Sequence, residues 1–285
     1  MTNIRFMSFS SGSCGNCYFL GLEEDGKISA GVLIDAGVSL RRLKKELMMH
    51  GLTYDAISAV LVTHDHLDHI KHLGSMCKHL SKPVYSETNI LNALEKHTFT
   101  RDYINSCRKT LKAGEWNVIV PEKLAVRYFI VPHDATQTVG YGIVIGGYKF
   151  VIMTDIGAMT DEALAFAKNA DSVVVESNYD MDMLLNGPYT YDLKMRICKG
   201  CGHLSNDKCA EAVKAFYHPS LKHIFLCHLS ENNNTPELAF AASASALGEL
   251  GFTQSYPNSS LFEKDGERLT LMPLPRQTKS QYFTL

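Results

Sequence analysis

Residues 59–72 read AVLVTHDHLDHIKH, and this stretch decides how the rest of the chain is interpreted. Its first four residues form an apolar run, which predicts a buried strand. Four potential metal ligands follow within six residues: His64, His66, Asp68 and His69. Burying an unpaired carboxylate beside imidazoles costs several kcal/mol unless a cation compensates. We therefore predict that the loop binds metal; the alternative is a solvated turn with capping carboxylates.

The composition is that of an ordinary globular protein. The 285 residues are 45% hydrophobic, which is enough for a sizeable core in one domain. We expect a single domain over residues 1–285, with residues 273–285 as a surface tail. The net charge of −2 means that a nucleic-acid partner would need a local basic patch.

No leader sequence and no apolar run of about 18–20 residues is visible. We therefore expect a cytoplasmic protein without a membrane partner, and the sequence leaves the oligomeric state unknown. Eight cysteines without a secretory signal indicate reduced thiols. Two pairs have the spacing Cys-x-x-Cys, Cys14/Cys17 and Cys198/Cys201, but they lie much farther apart than the roughly 15–20 residues of a zinc ribbon. We expect these thiols to be bystanders, with a four-cysteine zinc site as the alternative.

Short apolar runs alternate with helical patterns, which predicts a layered α/β fold. The predicted strands are Ile4–Ser8, Cys17–Leu22, Gly31–Asp35, Ala59–Thr63, Leu124–Val131, Gly140–Ile145, Phe150–Thr154, Ser172–Glu176 and His223–Cys227. The predicted helices are Leu40–His50, Ile70–Leu80, Thr88–Lys96, Asp161–Lys168, Asp207–Tyr217 and Pro236–Leu250. The last helix has the clearest signals: Thr235 as N-cap, Pro236 at the first position and Gly251 just past the end.

Other apolar strands also end in potential ligands: His133, Asp155 and His228. This order, after His-x-His-x-Asp-His, resembles the metallo-β-lactamase fold over residues 1 to about 272, and Asp35 matches the first motif of that fold. The resemblance implies an αββα sandwich, in which two mixed sheets carry helices on both outer faces.

The resemblance also implies two divalent metal ions per chain. One would be held by His64, His66 and His133, the other by Asp68, His69 and His228, and Asp155 would bridge them. Nitrogen and oxygen ligands suit zinc or manganese, and iron is not excluded. By the same resemblance Asp68 orients a hydroxide for catalysis, and Asp35 braces a ligand histidine unless it only closes a turn before Gly37.

Three further stretches resemble one branch of this fold: FSSGSCGNC (9–17), CGHLSN (201–206) and HLSENNN (228–234). They are similar to motifs of the YycJ/WalJ-like group, which is related to the ribonuclease Z and ribonuclease J phosphodiesterases. The resemblance implies a 5′-to-3′ exonuclease whose substrate is nucleic acid, in particular DNA ends. Cys17 stands where this group usually has serine.

The same stretches contain the predicted substrate and acid residues. A loop of small residues can cradle an anion, although it can equally be a plain β-turn. His203 precedes a helix start, where an imidazole suits a phosphate and a protonated leaving group, or is merely structural. We predict catalysis by Asp68 and His203, and substrate binding by Ser11, Ser13, Asn16, Ser205 and Asn206.

Two other functions share the metal ligands: a glyoxalase II-like thioesterase and a small-molecule phosphodiesterase. The small-residue loop and the Gly-His-Leu-Ser-Asn stretch favour phosphate over thioester. A non-catalytic regulatory binding protein is less compatible with the intact set of seven ligands. Basic clusters, including the amphipathic segment Ser39–Leu47, are predicted to be solvated faces or short nucleic-acid contacts.

Overall fold

The computed structural model describes residues 2–285, which divide into two compact units. The first unit contains residues 2–129, Ala135–Tyr148 and Pro275–Leu285; the second contains Ile130–Asp134 and Lys149–Leu274. Each unit is compact by itself, and the single domain over residues 1–285 stays a prediction. Among these residues no helix has the length and apolarity needed to cross a membrane.

The first unit is built on a seven-stranded mixed sheet. Its strands are β1 (Thr2–Gly12), β2 (Gly15–Glu24), β3 (Lys27–Ile34), β4 (Ala59–Leu61), β5 (Val84–Ser86), β6 (Arg108–Thr110) and β16 (Phe283–Thr284). The spatial order is β16-β1-β2-β3-β4-β5-β6. The strands from β16 to β3 pair antiparallel, with hairpins joining β1 to β2 and β2 to β3, and those from β3 to β6 pair parallel. Because β3 and β4 are parallel, Asp35 and the loop at Thr63 leave the same edge of the sheet.

The same unit also contains an antiparallel hairpin, a further strand and four helices. These are β7 (Asn117–Val120), β8 (Leu124–Ile130), β9 (Val139–Ile145), α1 (Leu40–Met48), α2 (Leu67–Ile70), α3 (Leu73–Leu80) and α4 (Thr88–Leu94). The helix predicted over Ile70–Leu80 is thus two helices. They separate because the His72 N–H donates to the carbonyl of Ala36, at 3.0 Å, instead of to a carbonyl of the preceding turn.

The second unit has a core of parallel strands. It contains β10 (Tyr148–Met153), β11 (Ser172–Glu176), β12 (His223–Cys227), β13 (Thr253–Gln254), β14 (Leu261–Lys264), β15 (Glu267–Pro273), α5 (Asp161–Ala167), α6 (Met181–Asn186), α7 (Tyr191–Cys198), α8 (Asn206–Phe216) and α9 (Pro236–Glu249). Strands β10, β11, β12 and β15 pair parallel in that order, and β14 and β13 continue the sheet antiparallel. All five residues of β11 are buried, as expected for a strand covered on both faces.

Helix α9 begins and ends as predicted. The Thr235 hydroxyl accepts the Leu238 N–H at 3.2 Å, Pro236 is the first helical residue, and Gly251 follows the end with φ of +91°. These signals are local to the chain, so the sequence alone specifies them.

We expected residues 273–285 to form a surface tail, but their last residues, in β16, extend the first sheet. Phe283 pairs with Phe6, and the Leu285 N–H donates to the Ile4 carbonyl at 2.9 Å. Phe283 is buried. The segment therefore covers the edge of β1, whose backbone groups would otherwise be left unpaired.

Candidate metal centre

In the first unit the four clustered ligands lie on the loop after β4 and on α2. His64 and His69 are completely buried, whereas His66 and Asp68 are partly exposed. The ring centroids of His64 and His69 are 4.0 Å apart, and those of His64 and His66 are 4.7 Å apart. The Nε2 atom of His69 lies 3.5 Å from Oδ2 of Asp68. The loop thus gathers three imidazoles and a carboxylate into one small volume.

Asp35, at the end of β3, fixes the orientation of two of these imidazoles. Its Oδ1 accepts the Thr63 N–H at 2.8 Å, and its Oδ2 accepts the Thr63 hydroxyl at 2.8 Å and Nδ1 of His69 at 2.7 Å. Since the Thr63 proton points to Asp35, the Thr63 oxygen accepts Nδ1–H of His64 at 3.0 Å. Both histidines therefore carry the proton on Nδ1, which leaves Nε2 as the metal-binding nitrogen.

The backbone around Asp35 is constrained as tightly as its side chain. Asp35 has a φ of +61°, a left-handed conformation that is uncommon for a residue other than glycine. A Cβ on Gly37 would lie 2.0 Å from the carbonyl oxygen of Asp68, so only glycine fits there. Burial raises the pKa of Asp35 above its usual value, and the neighbouring His69 opposes this effect. The bracing position predicted for Asp35 is thus present in the structure, and its effect on a metal stays a prediction.

The loop that was predicted to bind an anion is the turn between β1 and β2, and its side chains differ in burial and in hydrogen-bond partners. The Asn16 amide is buried and donates to Oδ2 of Asp68 at 3.0 Å and to the Gly12 carbonyl at 3.1 Å. Ser11 is also buried, with its hydroxyl 2.8 Å from the Tyr18 phenol, whereas Ser13 is exposed. Substrate contacts by Ser11, Ser13 and Asn16 stay predictions.

In the second unit four potential ligands meet at the ends of parallel strands. Asp155 follows β10, Glu176 ends β11 and His228 follows β12, while His203 precedes α8. One ligand atom from each lies within 4.8 Å of the others. The carboxyl ends of parallel strands share one edge of a sheet, which is why residues so distant in sequence come together.

Glu176 connects this cluster. Its Oε1 lies 2.7 Å from Nδ1 of His203 and 2.9 Å from Nδ1 of His228. Its Oε2 accepts the backbone N–H of Ile156 at 2.8 Å and of Leu204 at 3.1 Å. One carboxylate thus places the Nδ1 proton on both imidazoles.

The charges in this cluster stabilise each other. Burial acts to raise the pKa of Glu176, but His203 and His228 outweigh it, so the pKa lies below its usual value. Burial acts to lower the pKa of His203, but Glu176 outweighs it, so the pKa lies above its usual value. Each group of the pair thus favours the charged form of the other.

His133 is oriented by a backbone carbonyl instead of a carboxylate. Its Nδ1 donates to the Gly202 oxygen at 2.7 Å, and its Nε2 lies 3.8 Å from Oδ1 of Asp155. Burial is the main cause that lowers the pKa of His133, which favours the neutral form that binds metal. His228 has a φ of +52°, and the amide of Asn178 holds its carbonyl at 2.6 Å.

Ser205 and Asn206 are engaged within the protein. The Ser205 hydroxyl caps α8 by accepting the Lys208 N–H at 3.2 Å. Asn206 is buried and exchanges two amide hydrogen bonds with Asn234, both 2.9 Å long. These contacts position the segment that carries His203, and a substrate role for Ser205 and Asn206 stays a prediction.

Glu176 is the one member of these clusters that the sequence analysis did not single out. A signal was present: the segment SVVVE ends an apolar strand in a carboxylate, just as VLID does at Asp35. In contrast, no cluster of potential ligands within residues 2–285 contains a cysteine. Cys14 and Cys201 are exposed and Cys17 is buried.

The fold is α/β with mixed sheets, and histidines that present Nε2 lie with carboxylates at its strand ends. These features define a class of protein, the metal-dependent hydrolases. Within this class, the beta-lactamase superfamily domain matches residues 31–228, and the chain belongs to that family. The resemblance, the α/β class with two mixed sheets and the prediction of a metal-dependent hydrolase are thereby confirmed.

Three known proteins are similar to this chain. It is 33% identical over 254 residues to the exodeoxyribonuclease YycJ of Bacillus anthracis, covering 87% of this chain and 91% of that one. It is 30% identical over 245 residues to the exodeoxyribonuclease WalJ of Streptococcus pneumoniae D39, covering 86% and 88%. The crystal structure of Zn(2+)-bound PqqB from Methylobacterium extorquens superposes with a TM-score of 0.64 at 17% identity, covering 97% and 99%. The last match supports the fold alone.

Proposed function

We propose that the protein is a dinuclear-metal-dependent phosphodiester hydrolase that degrades DNA from the 5′ end. The observation that carries this proposal is the similarity, over most of both chains, to a protein named as an exodeoxyribonuclease. The clusters in the two units supply the kinds of side chain that such a reaction needs.

The proposed ligands are the seven residues predicted from the sequence: His64, His66, Asp68, His69, His133, Asp155 and His228. The structure supports a divalent metal through the chemistry of these donors. Four of the histidines have Nδ1 engaged by an oxygen, namely His64, His69, His133 and His228. Each therefore presents Nε2 in the form that binds a cation. Zinc and manganese both suit this set, and iron is compatible with it.

The reaction we propose is hydrolysis of a phosphodiester by water. Two divalent ions, when bound, lower the pKa of the attacking water and take up charge on the phosphoryl oxygens. Asp68 orients the water, and His203 donates a proton to the leaving oxygen. Glu176 holds Nδ1 of His203, so that the other ring nitrogen is directed to the substrate. Ser13, Ser11, Asn16, Ser205 and Asn206 are proposed to surround the phosphate.

The proposed partner is therefore DNA with an accessible 5′ end. We also propose that the protein acts in the cytoplasm. None of the eight cysteines, all of which lie within residues 2–285, is in a disulfide, which fits a reducing compartment.

The test is a comparison of three substrates with protein loaded with manganese or zinc. These are 5′-phosphorylated DNA, S-lactoylglutathione and bis(p-nitrophenyl) phosphate. The proposal expects the highest kcat/KM on DNA, with no activity on any substrate for Asp155→Ala purified in parallel. A preference for the thioester would establish a thioesterase instead, and equal DNA degradation by Asp155→Ala would show a contaminating nuclease.

A further inference from the structure

Helix α1 exposes a basic surface whose charge the fold does not neutralise. This surface, called here the α1 surface, consists of Arg41, Lys44 and Lys45, all of which are exposed. Their positions at i, i+3 and i+4 place them on one side of the helix. Within residues 2–285 none of the three is joined to an acidic side chain. The α1 surface is therefore a local positive region on a chain of net charge −2.

The rest of α1 is already used by the fold. Leu43 and Leu47 are completely buried, so their side of the helix packs into the first unit, whereas Met48 at the end of α1 is exposed. Glu46, the one acidic residue of α1, lies 3.0 Å from Nζ of Lys279. The one carboxylate of α1 is thus occupied, and the α1 surface remains open for an anion from outside.

Contacts within the first unit connect α1 to the ligand loop. The Arg42 guanidinium donates to the carbonyl of Phe9 and, at 2.7 Å, to that of Gln277. The side chain of the preceding residue, Arg276, lies against Gly12, where an added Cβ would be 3.5 Å from it. Gly12 in turn accepts the Asn16 amide, whose other contacts include Asp68. A series of contacts through Arg42, residues 276–277, Gly12 and Asn16 thus connects α1 to Asp68.

We propose that the α1 surface binds backbone phosphates of the DNA strand whose end is being hydrolysed. This inference rests on the proposed function and names the part of the protein that holds the remainder of the substrate. The evidence for a polyanion is the charge complementarity: three cations without an acidic partner lie on one face of a helix that contacts within the first unit connect to the proposed phosphodiester site. Contacts to phosphates do not distinguish one base from another, so they strengthen binding to every DNA sequence equally.

The experiment compares two triple variants of the full-length, metal-loaded protein. The first is Arg41→Gln/Lys44→Gln/Lys45→Gln. The matched control is Lys27→Gln/Lys96→Gln/Lys109→Gln, which removes three other exposed lysines of the first unit that also have no acidic partner. Each protein is assayed on 5′-phosphorylated single strands of about thirty and about four nucleotides across a range of salt concentrations. Binding of the wild type and of both variants to phosphatidylserine vesicles is measured in parallel.

The α1 variant is expected to raise the KM for the long strand by about 10–100-fold near 0.1 M salt, and to reduce the slope of log KM against log salt by about 2. The KM ratio between long and short strands should change much less in the control. Equal behaviour of the two variants on DNA that the wild type degrades would overturn the inference alone. Wild-type protein that neither binds nor degrades DNA would overturn the proposed function and this inference together. Vesicle binding that depends on the α1 residues, without an effect on DNA, would identify a membrane partner and also overturn it.

Discussion

Two buried carboxylates orient the histidines of the two units, and they do so differently. In the first unit, Asp35 bonds His69 directly and reaches His64 only through the hydroxyl of Thr63. In the second unit, Glu176 bonds His203 and His228 through a single oxygen and anchors its other oxygen on two backbone N–H groups.

We infer from this difference in hydrogen bonding that the two carboxylates have separate roles. The histidines that Asp35 orients, His69 directly and His64 through Thr63, are both proposed metal ligands, so we propose that Asp35 maintains the metal site. Glu176 contacts one proposed ligand, His228, and one histidine that is proposed to move a proton, His203. Loss of Glu176 should therefore affect both metal binding and the chemical step, whereas loss of Asp35 should affect metal binding alone.

The largest effect is expected for Asp155→Ala. If Asp155 bridges two ions, its removal should empty both positions and abolish hydrolysis, a loss larger than the roughly 10²–10⁴-fold that a general acid contributes. Elemental analysis should give about two metal equivalents for wild type and for Asp161→Ala, a control at an exposed carboxylate, and close to none for Asp155→Ala. Full metal content in Asp155→Ala would refute its assignment.

His203→Ala should lower kcat on DNA by about 10²–10⁴-fold while the metal content stays at the wild-type level, because we propose His203 as a proton donor and not as a ligand. The loss should shrink on a nitrophenyl phosphodiester, whose leaving group needs no proton. Equal losses on both substrates would instead favour a positioning or charge-stabilising role.

Asp35→Asn and Glu176→Gln test the comparison itself. Each should weaken metal binding by about 10–100-fold, because each removes a carboxylate that fixes a ligand imidazole. Excess metal should restore kcat in Asp35→Asn but not in Glu176→Gln, where the orientation of His203 is also lost. Recovery of both variants by excess metal would show that the two carboxylates have the same task.

His223 shows what burial does to an imidazole without a carboxylate partner. It begins β12, the strand that leads to His228, and burial lowers its pKa to about 4. A histidine whose pKa is lower in the folded than in the unfolded state stabilises fully above about pH 6.5, and this stability is lost as the pH falls towards 4. Between these limits the free energy of unfolding should decrease by up to about 3 kcal/mol more in wild type than in His223→Phe. Parallel pH profiles of the two proteins in denaturant titrations would contradict this.

Replacing the cysteines is expected to have no effect on metal content. Replacing Cys14, Cys17, Cys198 and Cys201 with serine should leave the metal stoichiometry unchanged, because the proposed metal ligands are imidazoles and carboxylates. Loss of one equivalent would revive the four-cysteine zinc site.

Local signals explain what the sequence could predict. The cap of α9 at Thr235, the apolar strands and the dense ligand loop at His64 are each specified by neighbouring residues. The division of the predicted helix at His72 is not, because it results from a hydrogen bond to Ala36, which is distant in sequence. The short strands β5, β6 and β13 were also not predicted, since two or three residues contain too little periodicity.

The candidate site shows the same limit. Each proposed metal ligand follows or ends an apolar run, so strand-end side chains could be selected by residue type. Glu176 met that criterion too, but only the folded chain shows that one of its oxygens serves both His203 and His228. Asn16 shows the opposite case, a residue that was selected from the sequence for another contact. It was predicted to bind substrate, and the structure shows its amide bonded to Asp68.

The most direct test of the central claim is the polarity of DNA degradation. A single strand labelled at its 5′ end, and the same strand labelled at its 3′ end, are digested by the metal-loaded protein under single-turnover conditions. A 5′-to-3′ exonuclease releases the 5′ label first, as a mononucleotide, while the 3′-labelled strand shortens progressively. Early release of the 3′ label, or internal fragments from both substrates, would contradict the account.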